Sequence, residues 1–382
     1  MAWPGHPRAR GQCWRGAADG CGGTFCPRGG CGGAGLGKSS AVREMAGVAG
    51  LPCETVIASI REPSDFAGLP IVAEDGKAVR FAPPLWAERL ASAGTGVLFL
   101  DEISTAPPAV QAALLRVVLE RTVGDLVLPP DVTVVAAANP PEQAADGWDI
   151  SPPLANRFCH LDWDLNAREW ADGILAGFAH PPIPALDAER MRAELAAARA
   201  STGAFVANSP HLLHAHPGNE SLAGRAWPSP RSWDMAARLT AATRVCGAPE
   251  EVGALLVAGA VGPAAAVEYR AWQEDMDLPD PEAVLRDPAS FRLPGRGDRA
   301  YAALAAITAA VIADNTAQRW EAAWHAIAAG AGARHSDIAV AAVRSLIAHR
   351  PDGAVPPASV LAKMTPVLRT AGLFEGLAGG RT

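Results

Sequence analysis

Lysine is scarce in this chain: three (Lys38, Lys77 and Lys363) stand against thirty arginines in 382 residues. The formal net charge is −7. No sequence-wide positive excess exists to neutralise phosphates, which argues against direct nucleic-acid binding. Long apolar runs are equally absent. None reaches the ~20 residues needed to span a bilayer. The nearest, Val252 to Val267, is interrupted by Gly253, Gly259, Gly262 and Pro263 and reads as a buried helix pair. An N-terminal apolar stretch of the secretory kind is missing, which points to the cytoplasm.

Val, Leu, Ile and Tyr do not occur in the first 31 residues, which hold eight glycines, four arginines and Cys13, Cys21, Cys26 and Cys31. No ordinary globular element has that composition. Residues 1–31 therefore read as disordered, or as the product of a wrong start or reading frame. Four thiolates could close a tetrahedral zinc site. Their spacing contains no CxxC pair, however, and no apolar residues support a knuckle.

What the rest of the chain contains is α/β order. At roughly 100–200 residues per domain the length suggests two or three domains. Short β-branched runs alternate with helical stretches from Gly32 onward, the mark of a parallel sheet with crossover helices. Strands are expected at 55–60, 97–101, 132–138 and 158–163, with helices at 38–49, 85–93 and 109–120. Asp75-Gly76 marks the turn of a hairpin over 69–81, and a second hairpin is expected at 123–128. After Asp164 the pattern is helical: 166–178, 187–200, about 229–244 with Ser229 as N-cap, then Ala-rich helices at 299–313, 317–329 and 336–348.

Gly32-Gly33-Ala34-Gly35-Leu36-Gly37-Lys38-Ser39 fits GxxxxGK[ST] at every fixed position. Glycines let successive N–H groups point at phosphate oxygens, and the helix that follows adds its positive N-terminus. Gly33, Ala34, Gly35, Leu36, Gly37, Lys38, Ser39 and Ser40 are thus the candidate nucleotide-binding residues, with Lys38 on the β- and γ-phosphates and Ser39 on Mg²⁺. About 60 residues on, four apolar residues run into Asp101-Glu102. A buried strand ending there lets Asp101 support the metal and Glu102 polarise the attacking water. Asn139 closes the next strand, where an amide could orient water beside the γ-phosphate. Arg157 precedes the last strand, and Arg231 opens a helix in SPRSW.

Together GGAGLGKSS, VLFLDEIS, VVAAANPP, PPLANRF and SPRSW resemble the AAA+ ATPases, and among them the MoxR-like branch of the dynein-related type. REPSDFAGLP and LERTVGDLVLP resemble that branch's hairpins, and the likeness covers roughly Gly32 to Arg244. It implies a P-loop NTPase core with a parallel sheet flanked by helices (32–165), a small helical lid (166–250) and a helical C-terminal extension (251–382). By the same resemblance Asn139 takes the sensor-1 position and Arg231 the sensor-2 position. Arg157 is the finger that reaches ATP on a neighbouring subunit. ATP and Mg²⁺, a homo-oligomeric ring, usually of six, and a remodelled protein client follow as expectations, the client sometimes carrying a von Willebrand A domain. The hairpin at 69–81 is the candidate client contact.

One position departs from this pattern. A hydrophobic strand should run straight into the P-loop, yet the preceding residues are TFCPRGGC. Pro27 cannot donate to a central ladder and the glycine pair weakens a strand, so the first strand is expected to be missing. A nucleotide-binding scaffold with impaired hydrolysis is the alternative that this gap raises. A subunit of a nucleic-acid-directed, restriction-type system is another.

Overall fold

The structure, a computed structural model, describes residues 28–31, 35–73, 76–139, 148–164, 166–178, 186–276, 278–330, 336–370 and 372–373. Gly33 and Ala34, and three of the four N-terminal cysteines (Cys13, Cys21 and Cys26), lie outside them, as does Asp75 of the hairpin turn. In chain order the strands are β1 (Arg28–Cys31), β2 (Cys53–Ile57), β3 (Leu69–Val72), β4 (Val79–Ala82), β5 (Thr95–Asp101), β6 (Thr122–Val123), β7 (Leu126–Val127), β8 (Asp131–Ala138) and β9 (Cys159–Asp162). Five of them form one parallel sheet in the order β2-β5-β8-β1-β9.

The place before the P-loop is therefore filled, which corrects the expectation of a missing strand. Arg28–Cys31 pairs with β8, Gly30 opposite Ala137, and with β9, Gly30 opposite Leu161. A parallel ladder uses backbone N–H and C=O groups, which glycine supplies as fully as valine does. Pro27 precedes the first paired residue, where its missing N–H costs the ladder nothing. The neighbouring β8 positions are Ala136, Ala137 and Ala138, so small residues face small residues along this seam.

β5 is buried on both faces: Val97, Leu98, Phe99 and Leu100 are all fully inaccessible. Period-2 alternation divides them. Val97 and Phe99 join Val42, Ala46, Val135 and Ala137 on one side. Leu98 and Leu100 join Ile103, Val110, Leu114, Val134 and Ala136 on the other. This is why the strand reads as an unbroken apolar run. The helices supplying those layers are α1 (Lys38–Val48), α2 (Leu85–Ala93) and α3 (Pro108–Glu120). Truncating Leu98 or Leu100 to alanine would cost about 2–5 kcal/mol.

Two hairpins decorate this core. β3 pairs antiparallel with β4, Leu69 opposite Ala82, and β6 with β7. They are clamped base to base: Asp125 donates its N–H to the Phe81 carbonyl at 2.9 Å, and Phe81 donates back to Asp125 Oδ2 at 2.9 Å. Gly68 and Gly124 both take positive φ at this junction, and a Cβ on Gly68 would come within 2.7 Å of Gly124 Cα. Beyond the clamp, Leu69, Ile71, Val72, Val79 and Phe81 are exposed.

The remaining helices of eight residues or more are α4 (Ala167–Ala176), α5 (Ala188–Asn208), α6 (Pro230–Val245), α7 (Glu250–Val261), α8 (Pro263–Asp275), α10 (Gly297–Ala313), α11 (Ala317–Gly330), α12 (Ser336–Ala348) and α13 (Ala358–Thr370), with the shorter α9 at Pro281–Arg286. The chain divides into two compact units. The first takes the described residues up to Ala188 with Leu212–Val267, and the second takes Glu189–His211 with the described residues from Glu268 on. This division does not follow the sequence boundaries at 165 and 250. In the second unit Phe205 of α5 stacks edge-on with Trp272. Its core holds Trp320 and Trp324, both fully buried, and Trp320 Nε1 donates to the Leu346 carbonyl at 2.8 Å. Among the described residues no helix is long and apolar enough to cross a membrane.

Candidate functional site

Parallel α/β sheets bind ligands at the carboxyl ends of their strands, and here those ends carry the motif residues. After β1 the chain turns into α1 through Gly35 and Gly37, with φ of +77° and +78°. Both sit in the left-handed region, where glycine alone is unstrained. An added Cβ would meet nothing within 4 Å at either position. The glycines are thus required by conformation, and the space in front of the loop is open. The Leu36 carbonyl is held by Trp163 Nε1 at 3.2 Å, from just beyond β9.

Lys38 and Ser39 open α1, where the helix dipole favours negative charge. Lys38 Nζ donates to Asn139 Oδ1 at 2.8 Å, and Ser39 Oγ donates to Asp101 Oδ2 at 2.6 Å. Four residues distant in sequence are thereby joined across α1, β5 and β8. Ser40 is half-buried in the same first turn. Asn139 is itself fixed from behind, its N–H donating to the hydroxyl of buried Ser104 at 3.1 Å.

Glu102 has a conformation unusual for its type, φ 55° and ψ 39°. A non-glycine residue in the left-handed region costs roughly 1–2 kcal/mol, and such strain concentrates at functional sites. The turn is held by Glu102 N–H to Asp101 Oδ1 at 3.0 Å and by Thr105 Oγ1 to the Glu102 carbonyl at 2.9 Å. The Glu102 carboxylate accepts from Ser59 Oγ at 2.5 Å. Ser59 follows β2, the strand beside β5.

These residues fit Mg²⁺ and a nucleotide polyphosphate. Magnesium is typically held by one or two carboxylates, waters and substrate phosphates rather than by an all-protein cage. The hydroxyl and carboxylate already brought together at Ser39 and Asp101 supply such a pair of hard oxygens. Among the described residues no group of three or more His, Cys, Asp or Glu is placed to hold a metal. Lys38 would exchange its amide partner for phosphate oxygens.

Arg157 and Arg231 form a second constellation. Arg157 follows a helical turn, Pro152–Ala155, and its Nη1 donates back to the Pro153 carbonyl. Burial, and after it the positive charge of Arg231, push its guanidinium below its ordinary pKa. The two cations are therefore near neighbours in one chain. Arg231 is exposed in the first turn of α6, capped by Ser229, whose Oγ accepts from Ser232 N–H at 3.1 Å.

The sequence reading did not single out Ser59, Ser104, Trp163 or Asn156. Asn156 is 4% exposed. Its Nδ2 donates to the Trp227 carbonyl at 3.0 Å and its Oδ1 accepts from Ser229 Oγ at 2.7 Å. The only sequence signal was position, next to Arg157.

With this geometry in hand, residues 31–158 match the family model of the AAA domain, dynein-related subfamily. The C4-dicarboxylate transport transcriptional regulatory protein DctD of Rhizobium meliloti (strain 1021) is 36% identical over 138 residues, 34% of this chain. The match spans 28% of that relative's length. A Cytophaga hutchinsonii protein, solved as a candidate ATPase, superposes with a TM-score of 0.43 and 18% identity over 63% of this chain and 77% of its own. That likeness is too loose to bear on function.

Proposed function

We propose that this chain, whose residues 31–158 are an AAA+ domain, hydrolyses ATP as a MoxR-like, ring-forming machine that remodels a protein client. The observation that carries the reading is the hydrogen-bonded meeting of Lys38, Ser39, Asp101 and Asn139 at one sheet edge. When bound, Mg²⁺ neutralises charge on the transferring phosphoryl group. The chain's own groups do the rest. The backbone around Gly35 and Gly37, with Lys38, cradles the phosphates. Asn139 orients water, and Glu102 takes its proton. Arg157 serves the nucleotide of a neighbouring subunit, so hydrolysis waits on assembly, and Arg231 answers to the nucleotide from α6.

The exposed apolar edge of the β3–β4 hairpin supports a protein client, possession of a von Willebrand A domain being one form it takes. The acidic balance weighs against direct contact with nucleic acid. Turnover at increasing protein concentration, with sedimentation in ATP and Mg²⁺, tests the assembly. Specific activity should rise as rings form, and Arg157→Ala should keep ATP binding within about twofold while losing roughly 10³-fold in turnover. Unchanged turnover in that variant would contradict a finger role.

A further inference from the structure

The arginine at the end of the α/β core and the arginine on α6 are joined by a buried hydrogen-bond network with a single direction. Trp227 O can only accept, so the side chain of Asn156 must present its NH₂ there, leaving Oδ1 for Ser229 Oγ. Ser229 Oγ, its proton spent on Asn156, accepts from Ser232 N–H at 3.1 Å. Ser232 Oγ donates to Trp227 O at 2.9 Å and accepts from Ser229 N–H at 2.8 Å. Ser229 and Ser232 are 5% and 1% exposed. Every proton has one acceptor, and water has no access to substitute for a lost partner. Arg157 is the next residue after Asn156, and Arg231 lies between the two serines.

We propose that Asn156 is a positioning residue that fastens the turn bearing Arg157 to the N-cap of the helix bearing Arg231, so that the two arginines move as one element. This rests on the ATPase reading above and adds to it a coupling. A shift of α6 that follows nucleotide state at Arg231 is transmitted through Ser229 and Asn156 to the cation facing the neighbouring subunit. Removing the amide should leave the phosphate loop alone while letting Arg157 drift, and a misplacement of about 1 Å can cost roughly 10²-fold in rate.

The test is a double-mutant cycle on the full-length chain, reading kcat and the dissociation constant of a non-hydrolysable ATP analogue for wild type, Asn156→Ala, Arg157→Ala and the double variant. Asn156→Ala should lose at least ~10-fold in kcat with analogue affinity kept within about twofold, and the double variant should be no slower than Arg157→Ala. Asn156→Asp, which keeps the acceptor for Ser229 but cannot donate to Trp227, should not restore the rate. If Asn156→Ala does not fold, Ser229→Ala, which removes the donor to Asn156 Oδ1, takes its place in the cycle with the same expectation. Losses that multiply in the double variant, or an unchanged kcat in Asn156→Ala, overturn the coupling while leaving the ATPase reading intact. A wild-type chain without turnover overturns both.

Discussion

The Ser39 hydroxyl donates to Asp101 Oδ2 at 2.6 Å, tying the first turn of α1 to the end of β5 across 62 residues of sequence. Two hard oxygen ligands are preassembled by this bond, and the negative charge on one of them is what should hold a divalent cation. Asp101→Asn keeps an acceptor for Ser39 and removes the charge. The Mg²⁺ concentration needed for half-maximal ATP binding, measured by titration calorimetry, should rise at least ~10-fold. An unchanged Mg²⁺ dependence would remove Asp101 from the metal site.

Ser59 occupies one of the two oxygens through which Glu102 would accept a proton. Freeing that oxygen makes the base more available without touching the phosphate loop. Ser59→Ala should therefore raise basal kcat about 2- to 5-fold with ATP affinity unchanged. A fall in kcat would mean that Ser59 holds Glu102 in its working position instead.

Backbone strain at Glu102 has its own signature. Asparagine tolerates the left-handed region better than alanine does, and neither replacement reaches Ser59 as the glutamate does. Comparing the two variants cancels the lost carboxylate bond. Glu102→Asn should be more stable than Glu102→Ala by about 1 kcal/mol in urea unfolding, though both lose activity. Equal stabilities would mean that the φ of 55° relaxes in the variants at no cost.

Much of the core was legible because its signals are local. The run before Asp101 is apolar at every position since β5 is buried on both faces, and Pro107-Pro108 and Ser229-Pro230 announce the starts of α3 and α6. β1 was illegible for the opposite reason: Arg28-Gly29-Gly30-Cys31 carries no side-chain signal, and its ladder is made by backbone against Ala136–Ala138 and β9. Ser59 and Asn156 belong to no motif. Their meaning comes from partners 43 and 73 residues away, which only the folded chain brings to them. The grouping of α5 with the C-terminal helices was likewise hidden, because chain order places it directly after the α/β core.

The central claim is that Glu102 activates water at a phosphate site built by Lys38, Ser39, Asp101 and Asn139. Steady-state phosphate release by the full-length chain with ATP and Mg²⁺, compared with Glu102→Gln, tests it most directly. The account predicts measurable turnover in the wild type and a loss of roughly 10²–10⁴-fold in Glu102→Gln with ATP binding retained. Equal rates in the two proteins would contradict it.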